Sequence, residues 1–265
     1  AGIIDLLGEF LPETEPSIRA GLHTREAWLA KRYDWLYRRC PHGPALTWVA
    51  TPDGSDRPVG VTSIFPRDMV IEGARARGAI GGEAWVRHEM RRRGIASAMH
   101  RECRAAMRER GIDVMFGTPR RLNFTPLASA TAFDLARTEL YKRPLDARPF
   151  GIENSLVNAV ARSLLSPGWP GLSLDPMAPD DARVDAVWQS TAPELAVATV
   201  RDARFYTWRF LEMPSGVQKP YVVLQRGAPL AACALEERDD ALIIVDLLAP
   251  RDRWWKALAA IARHG

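Results

Sequence analysis

Lysine is almost missing from this chain. Of its 36 basic residues only Lys31, Lys142, Lys219 and Lys256 are lysines, and the rest are arginine. With abundant Ala and Pro, that bias is what a GC-rich bacterial genome would give, so the pI of about 9.2 speaks of coding more than of function. Formal net charge is only +4, and no aromatic platform flanks the arginines, which argues against a nucleic-acid footprint. Cysteine is sparse too. Cys40, Cys103 and Cys233 are an odd, widely spaced set. They suit a reducing cytoplasm better than a disulfide framework, and none has metal-ligand spacing. No apolar run approaches the roughly 18 residues of a membrane span. The N-terminus has an early Asp5 and no basic region, so it does not read as a signal peptide. The chain starts at Ala1 without an initiator Met, which leaves open whether residues precede it. The common phosphate motifs are absent: there is no G-x-x-x-x-G-K-[ST], and Gly78, Gly81 and Gly82 do not make G-x-G-x-x-G.

What is present is an ordinary globular composition, 47% hydrophobic and 26% charged over 265 residues, enough for two compact domains or one large one. The most informative stretch runs from Val86 to Ser97. A strand (Ala84-Trp85-Val86) enters it and an amphipathic helix leaves it. Ile95, Ala98, Met99, Cys103, Ala106 and Met107 share one helical face, with Arg101, Arg104, Arg108 and Glu109 opposite. Gly111 stops the helix, and Ile112–Phe116 reads as a buried strand. Strand, loop, helix and strand form a crossover, with the loop at the carboxyl end of its strand. Free N–H groups at a helix start, the positive end of its dipole, Gly94 and the run Arg91-Arg92-Arg93 together make a cradle for a pyrophosphate.

Arg91-x-x-Gly94-x-Ala96, with Val86 five residues earlier, resembles the acyl-CoA signature of the GNAT (Gcn5-related) N-acetyltransferases, Q/R-x-x-G-x-G/A. The likeness extends from about Leu46 to Leu145. It implies an α/β, mixed-sheet acyl-CoA N-acyltransferase fold. It also implies acetyl-CoA or another acyl-CoA as co-substrate, held by Val86, Arg87, Arg91, Arg92, Arg93, Gly94, Ile95, Ala96, Ser97 and Asn123.

A repeat shapes the rest of the chain. Tyr33-x-Trp35-x-Tyr37-x-x-x-Pro41-x-Gly43 recurs as Tyr206-x-Trp208-x-Phe210-x-x-x-Pro214-x-Gly216, with strand-like segments after each copy. Two copies argue for duplicated domains rather than a solenoid, and resemble the tandem GNAT arrangement. The expected division is a GNAT domain over 1–150, a linker with a short amphipathic helix (Leu156, Val157, Val160, Leu164) over 151–172, and a degenerate GNAT-like domain over 173–265. In the second copy the strand 241–248 leads to Ala249-Pro250-Arg251-Asp252-Arg253, which has no R-x-x-G-x-A. The sequence ends after the helix that follows, before any returning strand, which fits a degenerate copy.

Acyl transfer from a thioester to an amine needs a base, a donor for the developing oxyanion and a leaving thiolate. By resemblance the oxyanion donor is the backbone N–H at about Val86, and Glu83 is the carboxylate that takes the amine's proton through water. The residue-level alternative makes Glu83 a solvent-facing side chain at a strand start. His88 lies nearer the phosphate loop, and Arg87 is expected to face that loop. Many members follow an Asn with a Tyr that protonates the thiolate. Here Asn123 is kept, the Tyr position is Ala130, and Ala132-Phe133 stands for Gly-Phe. Ser129 and Tyr141 are the candidate substitutes. A thiol of pKa about 8.5 is also a tolerable leaving group unaided. Three readings follow: direct N-acylation of a small-molecule amine, a silent acyl-CoA-binding or protein-interaction module, and an aminoacyl-tRNA-dependent transferase. The intact CoA-type loop speaks against the last. No metal, nucleic-acid or membrane partner is expected, and the oligomeric state is open.

Overall fold

A computed structural model describes residues 2–10, 24–117, 141–145, 148–165, 169–238 and 241–264. They build an α/β structure with two sheets. The first has strand order β1 (Leu46–Ala50), β2 (Gly60–Ile71), β3 (Ala74–Val86), β4 (Val114–Phe116). Its pairs are antiparallel except β3 with β4, which run parallel because helix α3 (Ile95–Glu109) carries the chain back across the sheet. The expected crossover is therefore present. Met99, Cys103 and Met107 are buried as the helical period requires, the last two packing on Ile64, Ala79 and Ile112. Strand β4 is shorter than expected and half-buried, with Met115 exposed.

On the other face lie α1 (Gly2–Phe10) and α2 (Arg25–Tyr33). Leu6 and Leu7 of α1 are buried against Tyr37, Val61 and Phe65. Thr24 caps α2 by accepting the Ala27 N–H. The helix then widens into a π-turn, Asp34–Arg38, closed by the Arg39 N–H on the Asp34 carbonyl.

The second sheet has order β5 (Leu172–Pro176), β7 (Gln218–Gln225), β8 (Ala228–Arg238), β9 (Ala241–Leu248), all antiparallel. Alternation along β8 sends Ala231, Cys233 and Leu235 to one core, where α7 (Trp254–His264) packs through Ala257, Ala260 and Ile261. Ala232 and Ala234 face the other core with Val184 and Val187 of α5 (Ala182–Thr191) and the aromatics of α6 (Ala203–Tyr206). Helix α6 repeats the design of α2. Asp202 caps it, and it widens into the π-turn Thr207–Leu211, closed by the Glu212 N–H on the Thr207 carbonyl.

The two sheets share a core. Trp35 and Trp208, matched positions of the repeat, stack with centroids 5.0 Å apart. Each indole donates to the other's backbone carbonyl, Trp35 Nε1–H to Trp208 at 2.6 Å and Trp208 Nε1–H to Trp35 at 2.9 Å. Strand β6 (Val197–Thr199) also crosses the division expected at 172/173, pairing with Met69–Ile71 of β2 in the first sheet. The expected linker helix forms as α4 (Ser155–Leu165), with Leu156, Val157 and Val160 exposed.

Candidate active site

Strand β3 carries the site at its carboxyl end. Its parallel pairing with β4 lasts only from Gly78 to Ile80. A Cβ on Gly117 would lie 3.1 Å from the Gly81 carbonyl oxygen, so a larger residue there would press the two backbones apart. Beyond that point β3 runs on to Val86 with no described strand beside it on this edge. The Arg87 N–H bonds to the Val59 carbonyl of the opposite neighbour. Successive peptide groups alternate between edges, so the Val86 N–H points to the open edge. An extended thioester arm laid along that edge would meet it.

A bulge kinks the same segment. Val61 faces Trp85 and Ser63 faces Gly82, leaving an extra residue on β3. Glu83 takes it up with φ +52°, a left-handed conformation that a non-glycine residue rarely holds. Its carboxylate forms an ion pair with Arg32 and accepts the Tyr37 hydroxyl. Tyr37 accepts in turn from Ser63 Oγ (3.3 Å), which lies 3.1 Å from Thr47 Oγ1. Burial pushes the Tyr37 hydroxyl up, and the charge of Glu83 adds to this, so it acts as a neutral donor. Glu83 is therefore neither at a strand start nor facing solvent. The sequence gives Arg32 and Ser63 no role, and marks Tyr37 only as a position of the repeat. The available signal was the Tyr37 hydroxyl, since a buried tyrosine needs a partner for its O–H.

The loop after Val86 starts with a 3-10 turn, His88–Met90, on which His88 is exposed. Arg91 Nε donates to the Val86 carbonyl at 3.0 Å, so it braces the loop against the strand end. Arg92 and Gly94 both have positive φ, +62° and +78°. Gly94 is the N-cap of α3, and the first helical bond is Ala98 N–H to Gly94 C=O. The N–H groups of Ile95, Ala96 and Ser97 have no backbone acceptor among the described residues. Arg92 and Arg93 are exposed, with no acidic partner there. Three free donors, a helix dipole and two unpaired guanidiniums fit a pyrophosphate.

Arg87 corrects an expectation. It is buried, and points away from the loop to donate to the Pro58 carbonyl (3.0 Å) and pair with Glu9 of α1 (2.6 Å). The Glu9 carboxylate of α1 offsets the cost of burying this guanidinium. Asn123, Ser129, Ala130, Ala132 and Phe133 lie outside the described residues. Tyr141 is 85% exposed. Among the described residues no cluster of His, Cys, Asp or Glu could hold a metal, and no helix is long and apolar enough to cross a membrane.

In the second sheet the corresponding 3-10 turn, Arg251–Arg253, leads straight into α7 at Trp254. The four residues that make the loop in the first sheet, Arg91 to Gly94, have no counterpart.

Comparison with known proteins agrees with this geometry. Residues 14–126 match the model of the acetyltransferase (GNAT) domain family. No curated protein matches the chain. A GCN5-related N-acetyltransferase from Anabaena variabilis is 15% identical with TM-score 0.59, over 98% of this chain and 60% of that one. A conserved protein of unknown function from Enterococcus faecalis, described as a probable N-acyltransferase, is 13% identical with TM-score 0.59, over 99% and 59%. A GCN5-related N-acetyltransferase from Kribbella flavida is 15% identical with TM-score 0.52, over 80% and 48%. The chain thus spans about three-fifths or less of the length of these structures. Over residues 14–126 the sequence is thus similar to the GNAT (Gcn5-related) acetyltransferase domain family, and the described strands and loop of that stretch agree with the likeness.

Proposed function

We propose that the protein transfers an acyl group, acetyl in the simplest case, from acyl-CoA directly to the amine of a small molecule. The observation that carries this reading is the start of α3, where three unpaired N–H groups face outward beside Arg92 and Arg93. Arg92, Arg93, Gly94, Ile95, Ala96 and Ser97 would hold the pyrophosphate of the donor. Asn123 stays assigned by resemblance alone. The open edge of β3 would align the thioester so that the Val86 N–H donates to the carbonyl oxygen as it gains charge. Such a donor is worth about 2.7–4 kcal/mol in comparable sites. Glu83, held in place by Arg32 and Tyr37, would receive the amine's proton through water. Each carboxylate oxygen keeps a lone pair for that water. The duplicated turn and indole pair support reading 1–150 as the acyl-CoA domain, 151–172 as a connection, and 173–265 as a degenerate copy. Three buried free cysteines suit a reducing cytoplasm.

A second reading is a module that binds acyl-CoA without turnover. What favours it is that both oxygens of Glu83 are already engaged. Thiol release from acetyl-CoA across a panel of small amines separates the two. Amine-dependent release that Gly94→Glu lowers at subsaturating acetyl-CoA supports transfer. Tight acetyl-CoA binding with no release for any amine supports the silent module.

A further inference from the structure

A second hollow lies apart from the loop. A cavity of about 380 Å³ opens between β6, the π-turn Thr207–Leu211 and β9. Phe205, Phe210 and Val245 give it apolar walls, and Arg201, Arg209 and Asp246 are its charged groups. We propose that it binds a small organic carboxylate, with the anion on Arg209 and an apolar body against Phe205, Phe210 and Val245.

The charges are unequal. Asp246 is answered by Arg201 at 2.7 Å. Arg209 has no carboxylate within ion-pair distance among the described residues. Its acceptors are Gln218 Oε1 (3.0 Å) and Met213 Sδ (3.1 Å), both neutral. Its guanidinium lies over the rings of Phe210 and Trp35. Arg67 adds to the imbalance. It is buried, lies over Trp208, and among the described residues donates to Cys40 Sγ and the Pro66 carbonyl alone. Burial, with Arg67 nearby, holds the Arg209 guanidinium below its usual range even though Asp246 works the other way. A desolvated cation without a counter-charge is expensive, and an anion entering the cavity would relieve it. A carboxylate suits a guanidinium fork. The volume falls at the lower end of small-molecule sites, about 300–1,000 Å³.

The position in the fold gives a second reason. Strand β9 bulges where Ala234 faces Asp246 and Leu235 faces Ile244, which leaves Val245 as the extra residue. The first sheet has its bulge in the matching strand, and there Glu83 meets Arg32. In the second sheet the apolar Val245 stands at the bulge, and the neighbouring Asp246 is taken by Arg201, which leaves Arg209 with neutral acceptors. The cavity is also distant from the acyl-CoA loop along the sheet. Its β6 wall pairs with Met69–Ile71, the opposite end of β2 from Gly60, which pairs with Val86.

The test is calorimetric titration of the whole protein with phenylacetate, alongside its neutral isostere phenylacetamide. Phenylacetate should bind, phenylacetamide should not, and Arg209→Gln should weaken phenylacetate by about tenfold or more. Because Arg209 also packs on Trp35 and Phe210, Ala198→Phe serves as a second variant. It fills the cavity, leaves the guanidinium in place, and should abolish binding. Gly94→Glu should leave phenylacetate affinity unchanged, so failure at the acyl-CoA loop is read separately. Absence of phenylacetate binding, equal binding of the amide, or full affinity in Arg209→Gln or Ala198→Phe would overturn the proposal.

Discussion

Position 94 allows charge to be tested apart from shape. Gly94 lies at φ +78°, and a Cβ built there meets nothing within 4 Å. Any side chain therefore fits, and its cost is confined to the left-handed backbone, about 1–2 kcal/mol, least for asparagine. Gly94→Asn carries that strain without charge. Gly94→Glu carries it and adds a carboxylate beside the free N–H groups of Ile95, Ala96 and Ser97. With acetyl-CoA at about 100 times its dissociation constant, the wild type gains about 2.7 kcal/mol. For a chain of this size that raises Tm by roughly 5–10 °C. Removing the equivalent of one charge-assisted hydrogen bond, about 1.5–3 kcal/mol, weakens binding by roughly tenfold or more. At the same ligand concentration the gain then drops to about 1.4 kcal/mol or less. Scanning calorimetry at fixed ionic strength should show a nearly full shift in Gly94→Asn and at most half of it in Gly94→Glu. Equal shifts in all three proteins would refute the placement of the pyrophosphate at this helix start.

Three further outcomes are expected. Trp35→Phe and Trp208→Phe each leave a buried carbonyl without its donor and should cost about 1–3 kcal/mol. The double variant should cost less than their sum if the residues act as a pair, which urea denaturation would measure. Glu83→Gln should lower kcat by about 10²–10⁴ with little change in KM for acetyl-CoA; lost stability with unchanged kcat would remove Glu83 from the chemistry. The third concerns His42, which is buried, stacks on Phe205, and has no partner for either ring nitrogen among the described residues. Burial holds its pKa below the ordinary 6.5, so the unfolded chain takes up this proton first. Its stabilising contribution is complete above pH 6.5 and declines as pH falls below it. His42→Phe should flatten that part of the stability–pH curve, and an unchanged slope would assign the effect elsewhere, for instance to His100, whose pKa burial also lowers.

The elements that dominate one periodicity were readable in advance. The apolar stripe Met99, Cys103, Met107 fixed both the extent of α3 and the face it buries. The match of Tyr33-x-Trp35 to Tyr206-x-Trp208 has a local counterpart in the structure, since each copy runs into a π-turn. Side-chain direction at strand ends was not readable. Arg87 lies one residue past Val86, and strand parity sends it to α1 rather than to the loop. Glu83 was placed on the right strand, but the bulge that turns it toward Arg32 and Tyr37 leaves no periodic trace. Strand β6 is three residues long, too short for any alternation to announce that it joins the first sheet.

The exchange between Trp35 and Trp208 also has a temporal side. The two indoles are separated by 173 residues, and at ribosomal rates of about 5–20 residues per second the later one is made roughly 10–30 s after the earlier. Throughout that interval Trp35 has neither its acceptor nor its stacking partner, and β2 lacks the strand that will pair with Met69–Ile71. If the first sheet forms in that interval, it would do so with the Met69–Ile71 edge unpaired and the Trp35 indole uncovered. The cores of the first sheet itself are complete by Ile112, but the core that Trp35 enters, with Val184, Tyr206 and Val222, waits on translation of the second half.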